Sequence, residues 1–380
     1  MQSNAAIVGL GFVGRAHLDA LRRLGITVQG VLGSTPERSR AASESLRINR
    51  AYSSLDELAA DGTVQVVHLC TPNHLHFQAA SQLLRAGKHV LCEKPLALDS
   101  RESAALLPLL KETGLVGAVT YNLRYYPLCQ EARILIRERV IGQVRLVHGS
   151  FLQDWLLFPS DWNWRLEAKL GGELRAVSDI GTHWLDLVTW LTGSKVSALC
   201  ADLATVLATR HRPKGRVESF QKAAATETEE VMISTDDYAS VLLHFENEAH
   251  GVMTVSQVSP GRKARLWFEI DGSEGSLAFD SESPNQLWIG RRQRACEVLP
   301  KDPALQAPES RGYAAYPGGH AEGYPDTFVQ LFKDVYAYIA AGNMRAPRNF
   351  PTFETGHEEL VLCEAIADSA RNKSWITVGA

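Results

Sequence analysis

The sequence has little that would draw the chain to nucleic acid or into a membrane. Its 39 lysines and arginines are outnumbered by 43 aspartates and glutamates, which gives a formal net charge of −4. Nucleic-acid-binding domains carry the opposite excess. No apolar run approaches the roughly 20 residues of a membrane-spanning helix. The N-terminus has neither the basic nor the long apolar segment of a secretory signal. These absences predict a cytoplasmic protein without nucleic-acid or membrane partners.

Cysteine is sparse, and its spacing argues against clustered thiols. The six cysteines form no C-x-x-C pair, and several lie within apolar runs. Unpaired cysteines inside apolar runs are more typical of reduced thiols than of a disulfide framework. The pattern predicts reduced, mostly buried thiols in a reducing compartment, and no metal site. The cysteines are Cys70, Cys92, Cys129, Cys200, Cys296 and Cys363.

The sequence does have the length and the apolar content for a large core. Its 380 residues, 45% of them apolar, fit two domains at roughly 100–200 residues each. Over residues 1–122, short apolar runs alternate with segments of helical period, which is typical of βαβ units and a parallel sheet. We predict strands at 5–8, 28–32, 64–70, 89–92 and 115–120, and helices at 12–24, 36–46, from 55, at 75–86 and between an Asp99 cap and Gly114.

The pattern changes after residue 122. Two-residue periodicity with turn signals between the segments predicts an antiparallel sheet, so residues 123–380 are expected to form an α+β domain. Residues 246–249 fit a hairpin turn, and residues 300–325, rich in proline and glycine, a long loop. The C-terminal helix is a candidate for packing back on the first domain. The predicted strands are 144–151, 238–245, 251–258, 264–270 and 275–279, and the predicted helices 127–139, 178–191, 326–341 and 352–370.

A glycine-rich motif follows the first strand and opens the first helix. In Gly9-Leu10-Gly11-Phe12-Val13-Gly14, the first glycine permits a tight turn, and the second lets the backbone approach a pyrophosphate. The third allows close packing of helix and strand. Because the motif stands at the start of a regular βαβ pattern, it predicts dinucleotide binding rather than a ligand-free turn.

The end of the second strand bears on the choice between NAD and NADP. The acid that pairs with the ribose hydroxyls in NAD-binding domains is expected here, and Gly33 occupies the position. Ser34, Thr35 and Arg38 follow, and they are candidates for contacting a 2′-phosphate, which favours NADP slightly. The alternative is an ordinary helix N-cap followed by a solvated arginine.

Two further motifs have catalytic potential. Glu93-Lys94-Pro95 ends a parallel strand, where open α/β sheets bind ligands, although a lysine there is also common in plain turns. Asp179, His183 and Asp186 recur at i, i+4 and i+7, which places them on one face of a continuous helix. A carboxylate beside His183 would fix its tautomer and strengthen it as a base, whereas a lone helical histidine is usually structural. No further ligand motif supports metal binding by these three residues.

Together with Thr71-Pro72-Asn73 and His76, these motifs closely resemble those of the Gfo/Idh/MocA oxidoreductases, the family of glucose–fructose oxidoreductase and inositol dehydrogenase. The resemblance covers most of the chain. It implies an N-terminal Rossmann domain, a C-terminal α+β domain with a large, mostly antiparallel sheet, and a nicotinamide lying between the two domains. It implies a homodimer or homotetramer formed through the C-terminal sheet. It also implies that Lys94 and His183 are the catalytic pair and that Asp179 binds substrate or orients the base.

The resemblance also implies cofactor contacts. The residues that would make these contacts are Gly9, Gly11, Phe12, Val13 and Gly14 of the glycine motif, together with Cys70, Thr71, Pro72, Asn73, His76, Glu93, Lys94 and Asn122. Gly33 departs from the pattern of NAD-preferring members. Further candidates can stack on a sugar ring or pair with its hydroxyls, the alternative for the aromatic ones being a place in the core. These are Tyr121, Arg124, Trp164, Arg165, His320 and Tyr324.

The sequence therefore predicts an NAD(P)-dependent dehydrogenase or reductase that acts on a sugar, a polyol or a related cyclic alcohol. His183 would act as general base, and Lys94 would stabilise the reacting oxygen. One alternative is a glycosidase that uses NAD for transient oxidation and elimination. Another is a dinucleotide-binding sensor without catalysis, because a fold does not fix a function.

Overall fold

The computed structural model describes residues 3–214 and 227–379, and they divide into two compact units. The first comprises the chain up to Thr120 together with Lys169–Gly172 and Phe328–Leu360. The second comprises Tyr121–Ala168, Glu173–Thr327 and the chain from Val361 onward. Each unit is built on one large sheet.

A six-stranded parallel sheet forms the centre of the first unit, in the order β3-β2-β1-β4-β5-β6. All residues of β1 and β4 are buried, as expected for strands covered on both faces. The order reverses direction between β1 and β4, and such switch points place ligand sites at the carboxyl ends of the strands. The strands are β1 (Ala5–Val8), β2 (Val28–Leu32), β3 (Arg50–Ala51), β4 (Val66–Leu69), β5 (His89–Cys92) and β6 (Gly117–Val119).

Short polar side chains fix the helix boundaries of this unit. Thr35, Ser54 and Asp99 each accept a hydrogen bond from the amide three residues on, and Gly114 ends its helix with φ +65°. The boundaries agree closely with the sequence prediction, except that a 3₁₀ turn, Asn73–Leu75, precedes the fourth helix. The helices are α1 (Phe12–Arg23), α2 (Pro36–Leu46), α3 (Leu55–Ala60), α4 (His76–Arg85) and α5 (Ser100–Thr113).

A nine-stranded sheet forms the centre of the second unit, in the order β16-β15-β14-β13-β7-β12-β11-β8-β17. Its pairs are antiparallel apart from β7 and β12, so the sheet is mixed rather than antiparallel throughout. A separate ribbon pairs β9 with β10. The strands are β7 (Val144–Leu152), β8 (Val196–Ala204), β9 (Thr209–Pro213), β10 (Thr228–Met232), β11 (Tyr238–Phe245), β12 (His250–Ser256), β13 (Arg265–Gly272), β14 (Ser276–Asp280), β15 (Gln286–Gly290), β16 (Glu297–Pro300) and β17 (Ile376–Thr377).

One face of this sheet carries the core of the second unit, where inward side chains such as Val147 and Phe268 pack with Trp184. Glu248, at φ +67°, lies in the predicted hairpin turn between β11 and β12. The remaining helices are α6 (Pro127–Arg137), α7 (Ala168–Gly171), α8 (Thr182–Thr192), α9 (Tyr324–Ala341) and α10 (Phe353–Asn372).

The predicted loop at 300–325 lies between β16, which ends at Pro300, and α9, which begins at Tyr324, and its only regular element is a 3₁₀ turn at Arg311–Tyr313. A fully buried ion pair nevertheless holds it in place. Lys301 Nζ lies 2.8 Å from a carboxylate oxygen of Glu322. The Glu322 carboxylate also accepts hydrogen bonds from the amides of Ala315 and Tyr316. Breaking one side of such a pair leaves a buried charge uncompensated, so this loop is anchored at both ends.

All six cysteines are free thiols. Cys92, Cys129 and Cys363 are buried, Cys70 and Cys200 are half-buried, and Cys296 is exposed. Across residues 3–214 and 227–379, none of the helices combines the length and apolar character needed to cross a bilayer.

Candidate active site

The glycine motif adopts the conformation that dinucleotide binding requires. Gly9 has φ +92°, and a Cβ there would collide with the carbonyl of Cys70. A Cβ on Gly14 would collide with the carbonyl of Gly9, so this glycine allows α1 to pack closely on β1. A Cβ on Gly11 would meet no atom within 4 Å, so the backbone is open there. Helix α1 begins at Phe12 without a side-chain cap. Its amides are therefore suited to a phosphate.

The end of β2 combines a helix cap with a basic side chain. Thr35 is the N-cap of α2, as the alternative interpretation expected, and its hydroxyl accepts from the Arg38 amide. The Arg38 guanidinium also donates to the Ser34 hydroxyl at 2.9 Å. Gly33 donates from its amide to Ser39, and no carboxylate stands at its position. Both interpretations of this segment therefore have a basis in the structure.

The segment after β4 carries a buried oxygen suited to a ligand. The Thr71 hydroxyl is buried and has no hydrogen-bond partner among residues 3–214 and 227–379. Buried polar atoms are normally paired, so a ligand hydroxyl or amide would complete this one. Together with the open backbone at Gly11, it fits a dinucleotide. Asn73 donates instead to the carbonyl of Gly171, at 2.9 Å.

His76 holds two loops together. It is fully buried, and its ring nitrogens lie 2.9 Å from the Thr71 carbonyl and 2.8 Å from the Pro95 carbonyl. Burial lowers the pKa of His76, against the two carbonyls and Glu93, which raise it. These contacts give His76 a role in positioning the segments that follow β4 and β5.

The Glu93-Lys94 segment lies at the carboxyl end of β5. Thr71 and Glu93 follow neighbouring strands, because β4 pairs with β5. The Glu93 amide donates to the Leu69 carbonyl at 2.9 Å, which extends this pairing. Lys94 is half-buried, whereas Glu93 is 8% exposed and turns its carboxylate inward to His17. The first unit therefore gathers the glycine motif, Thr71 and Lys94 at one edge of its sheet.

In the second unit, His183 lies in the first turn of α8. The helix expected over 178–191 is present, but its first turn, Val177–Gly181, is π-helical and leads directly into α8. That wider turn changes the spacing on which the single-face prediction relied. The two flanking acids bind different partners. Asp179 pairs with Arg165, and Asp186 pairs with Arg124.

Aromatic rings surround the His183 imidazole. Tyr121, which is 1% exposed, meets it edge-on with ring centroids 5.7 Å apart, and Phe151 lies at 6.2 Å. Arg165 stacks on Trp164 at 4.4 Å and donates from Nε to Asp179 at 3.1 Å. The second unit thus brings five of the predicted residues into one neighbourhood: Tyr121, Trp164, Arg165, Asp179 and His183.

Asp179 is held by residues that the sequence analysis did not identify. Gln257 Nε2 donates to its second oxygen at 2.8 Å, and Arg175 Nη1 donates to Gln257 Oε1 at 2.8 Å. Arg175 also pairs with Asp237, to which Arg210 donates at 2.7 Å. Arg175, Arg210 and Asp237 are fully buried side chains. The available signal was the acid pair Asp236-Asp237 directly before an apolar strand.

Asp236 fixes the approach to the π-helical turn. Its carboxylate accepts from the amides of Arg175 and Val177, at 2.5 Å and 2.9 Å. Burial raises the pKa of Asp236 to about 6, against these amides and the Arg175 charge, which lower it. The carboxyl therefore caps the segment that leads to Asp179 and His183.

The other predicted site residues either contact protein groups that account for their positions or lie exposed at the surface. Arg124 is 9% exposed, makes a two-pronged ion pair with Asp186 and stacks on Trp190 at 5.5 Å. These contacts account for its burial without a ligand. Asn122 donates to the Thr327 hydroxyl at 2.7 Å. His320 is exposed and contacts the Gly318 carbonyl at 3.3 Å, and Tyr324 is 38% exposed.

Comparison with known families agrees with this geometry in both halves of the chain. The model described as an oxidoreductase family with an NAD-binding Rossmann fold matches residues 3–121. The model of the GFO/IDH/MocA C-terminal domain matches residues 129–278. The chain belongs to the Gfo/Idh/MocA oxidoreductase family. The predicted family, fold class and enzyme class are thereby confirmed, with an NAD-binding Rossmann domain in the first unit.

Two curated relatives are named as carbohydrate enzymes. Levoglucosan dehydrogenase from Pseudarthrobacter phenanthrenivorans is 30% identical over 390 residues, covering 99% of this chain and 98% of the relative. The 1,5-anhydro-D-fructose reductase of Ensifer adhaerens is 27% identical over 306 residues, covering 78% and 83%.

Solved structures of Gfo/Idh/MocA proteins match along the whole chain. Levoglucosan dehydrogenase in complex with NADH and L-sorbose superposes with a TM-score of 0.89 at 29% identity, covering 100% of this chain and 99% of that one. The same enzyme's complex with NADH and levoglucosan gives a TM-score of 0.88 at 27% identity, with 100% of both chains covered.

Proposed function

We propose that this Gfo/Idh/MocA oxidoreductase transfers a hydride between a nicotinamide dinucleotide and a carbinol carbon of a sugar, a polyol or a related cyclic alcohol. The observation that carries the proposal is the likeness to levoglucosan dehydrogenase, which extends over 99% of this chain. The side chains around His183 support the same class of substrate, since imidazole, carboxylate and guanidinium groups pair with hydroxyls and Trp164 offers a ring for stacking.

The residues divide the chemistry between them. A bound nicotinamide supplies the hydride acceptor or donor. In the oxidative direction, we assign to His183 the removal of the hydroxyl proton as general base. Lys94 hydrogen-bonds the same oxygen and stabilises its developing negative charge. Asp179, whose two oxygens are held by Arg165 and Gln257, binds a substrate hydroxyl or orients the base.

The cofactor contacts follow from the strand ends of the first unit. The open backbone at Gly11 and the amides at the start of α1 suit the pyrophosphate. Thr71 suits a polar group of the cofactor because its buried hydroxyl has no partner among the described residues. We propose that NADP binds at least as well as NAD, since Gly33 presents no carboxylate and Arg38 beside Ser34 offers a cation to a 2′-phosphate.

We further propose a cytoplasmic homodimer or homotetramer that associates through the open face of the nine-stranded sheet. Along each strand, side chains on this face alternate with the side chains that point into the core. Several of them are apolar and exposed, and Leu242 and Val252 are directly paired across β11 and β12. Leu146 and Trp288 are likewise exposed, at 50% and 36%. Large exposed apolar patches are typical of association sites. The free cysteines suit a reducing compartment.

A substrate panel tests the function. Purified protein is incubated with pyranoses, pyranosides, anhydrosugars, inositols and simple aliphatic alcohols, each with NAD⁺ and with NADP⁺. Absorbance of the reduced nicotinamide and release of free sugar are followed. We expect turnover with a cyclic polyol or sugar and very little with aliphatic alcohols, because polar groups built to pair with hydroxyls are left unpaired by simpler alcohols.

Three results would contradict the proposal. Comparable rates on both classes would contradict the substrate assignment. Cleavage of a glycoside without net cofactor reduction would indicate the glycosidase. Tight cofactor binding without turnover on any member of the panel would indicate a sensor.

A further inference from the structure

A chain of four side chains runs through the interior of the first unit. His17 Nε2 lies 3.0 Å from Glu93 Oε1, and the Nδ1 atoms of His17 and His68 are 2.9 Å apart. His68 Nε2 lies 3.0 Å from the Tyr336 hydroxyl. Both histidines are fully buried, and Glu93 and Tyr336 are each 8% exposed. We call these four residues the histidine chain.

When every donor is matched to an acceptor, the hydrogen bonds of the histidine chain can run in only one direction. If His68 donated to Tyr336, the tyrosine hydrogen would lack an acceptor among residues 3–214 and 227–379. Tyr336 therefore donates to His68 Nε2, so His68 carries its proton on Nδ1 and donates to His17 Nδ1. His17 then carries its proton on Nε2 and donates to the Glu93 carboxylate. Every nitrogen is satisfied, and both rings are neutral.

The surroundings favour this neutral order. Phe332 lies with its ring centroid 4.7 Å from both imidazoles, and Phe328 lies 5.4 Å from His17. Burial lowers the pKa of His68 well below its usual value, which keeps this ring neutral. Burial also raises the pKa of Tyr336, which keeps the phenol protonated. A low-dielectric interior strengthens a fully paired chain of this kind and penalises any unpaired member.

The histidine chain connects the segments that serve the active site. His17 lies on α1, three residues after the last glycine of the dinucleotide motif. His68 lies on β4, which leads to Thr71, and Tyr336 lies on α9. Glu93 immediately precedes Lys94, and its backbone is held separately by the Leu69 carbonyl. The histidine chain thus fixes the Glu93 side chain from α1, while Leu69 of β4 holds the Glu93 backbone.

We propose that His17, His68 and Tyr336 are positioning residues that hold Glu93 and, through it, the Lys94 turn. They do so by a series of hydrogen bonds that all donate in one direction, from Tyr336 towards Glu93. The part of this inference that concerns Lys94 rests on the proposed function. The donor order does not, and it can be measured without substrate.

Nitrogen NMR of histidine-labelled protein tests the donor order. In the wild type at neutral pH we expect His68 to be protonated on Nδ1 and His17 on Nε2, both neutral. In Tyr336→Phe, the resonances of both histidines should shift, because the donor that sets the order is gone. The matched control is Tyr338→Phe on the same helix. The Tyr338 hydroxyl donates to the Ala346 carbonyl, and neither residue belongs to the histidine chain. This variant should leave both histidines unchanged. A charged ring, an Nε2 proton on His68, or unmoved His17 resonances in Tyr336→Phe would each overturn the proposed order.

Kinetics test the consequence for Lys94. With a substrate from the panel, Tyr336→Phe should lower kcat roughly 2- to 10-fold, the loss expected for one buried neutral hydrogen bond. The Kd for NADH should stay within about twofold, because the hydroxyl lies outside the phosphate contacts. Tyr338→Phe should keep the wild-type kcat. An unchanged kcat in Tyr336→Phe, together with shifted histidine resonances, would overturn the positioning role and leave the donor order standing. Absence of turnover in the wild type would count against the proposed function and not against the donor order.

Discussion

Gln257 donates a hydrogen bond from Nε2 to the Asp179 carboxylate at 2.8 Å. The direction of its amide is fixed from the other side, where Arg175 Nη1 donates to Gln257 Oε1 at 2.8 Å. A guanidinium can only donate, so the oxygen of the amide must face Arg175 and the nitrogen must face Asp179. The buried Arg175–Asp237 pair therefore sets the orientation of a proposed substrate-binding carboxylate through one glutamine.

Substituting Gln257 should affect turnover more than folding. Gln257→Leu removes a hydrogen bond to a charged group, and we expect kcat/KM to fall about 10- to 100-fold. Gln257→Glu should be at least as damaging, because a second carboxylate would face Asp179. The control is Gln153→Leu, another buried glutamine, whose oxygen accepts from Trp155. Steady-state rates and thermal unfolding of the three variants check this. Equal losses of kcat/KM in Gln257→Leu and Gln153→Leu would show that Gln257 has no special relation to Asp179.

Much of the first unit could be predicted from the sequence because its signals are local. Apolar runs mark the strands, and capping residues such as Asp99 with Gly114 mark the helix ends. In the second unit, the strands β8, β9, β10, β15, β16 and β17 went unpredicted. Their strand character depends on cross-strand partners far along the chain, such as the pairing of β8 with β11.

The residues of the candidate site also differ in whether a local sequence signal identifies them. Lys94, Asp179 and His183 stand in short motifs and could be identified, whereas Gln257 and Arg175 reach Asp179 only through the tertiary fold. The π-helical turn before His183 gives no periodic signal either, so the regular α-helical spacing expected there was wrong, although the helix itself was predicted.

Cofactor preference should depend on Arg38. If its guanidinium contacts a 2′-phosphate, Arg38→Ala should weaken NADP binding about tenfold or more and leave NAD binding nearly unchanged, since charge-assisted hydrogen bonds contribute roughly 1.5–3 kcal/mol. Fluorescence titration with both reduced cofactors measures this. Arg40→Ala on the same exposed helix, where Arg40 pairs with Glu37, is the control. A strong NAD preference in the wild type that Arg38→Ala does not alter would remove the basis for NADP.

The stability contribution of Asp236 should fall as pH rises. Burial raises its pKa from 3.8 to about 6. Between these values the folded chain retains the proton while the unfolded chain has released it, so this contribution is full below about pH 4 and is lost as pH rises through about 6. Asp236→Asn should therefore cost more unfolding free energy near pH 4 than at pH 7. Urea unfolding at both pH values measures the difference, with the exposed Asp202→Asn as control. A cost that grows with pH would mean that folding lowers the pKa of Asp236 instead of raising it.

The central claim is that Lys94 and His183 carry the proton chemistry and contribute little to the affinity for the dinucleotide. The most direct measurement is turnover and NADH affinity for Lys94→Met, His183→Asn and the double variant, with the exposed Lys111→Met and His211→Asn as controls. We predict near-normal NADH affinity in all of them and a loss of turnover on the order of 100-fold or more in each single active-site variant. The double variant should lose far less than the product of the two, because groups acting on one oxygen give overlapping losses. Full turnover in either single variant would contradict the account.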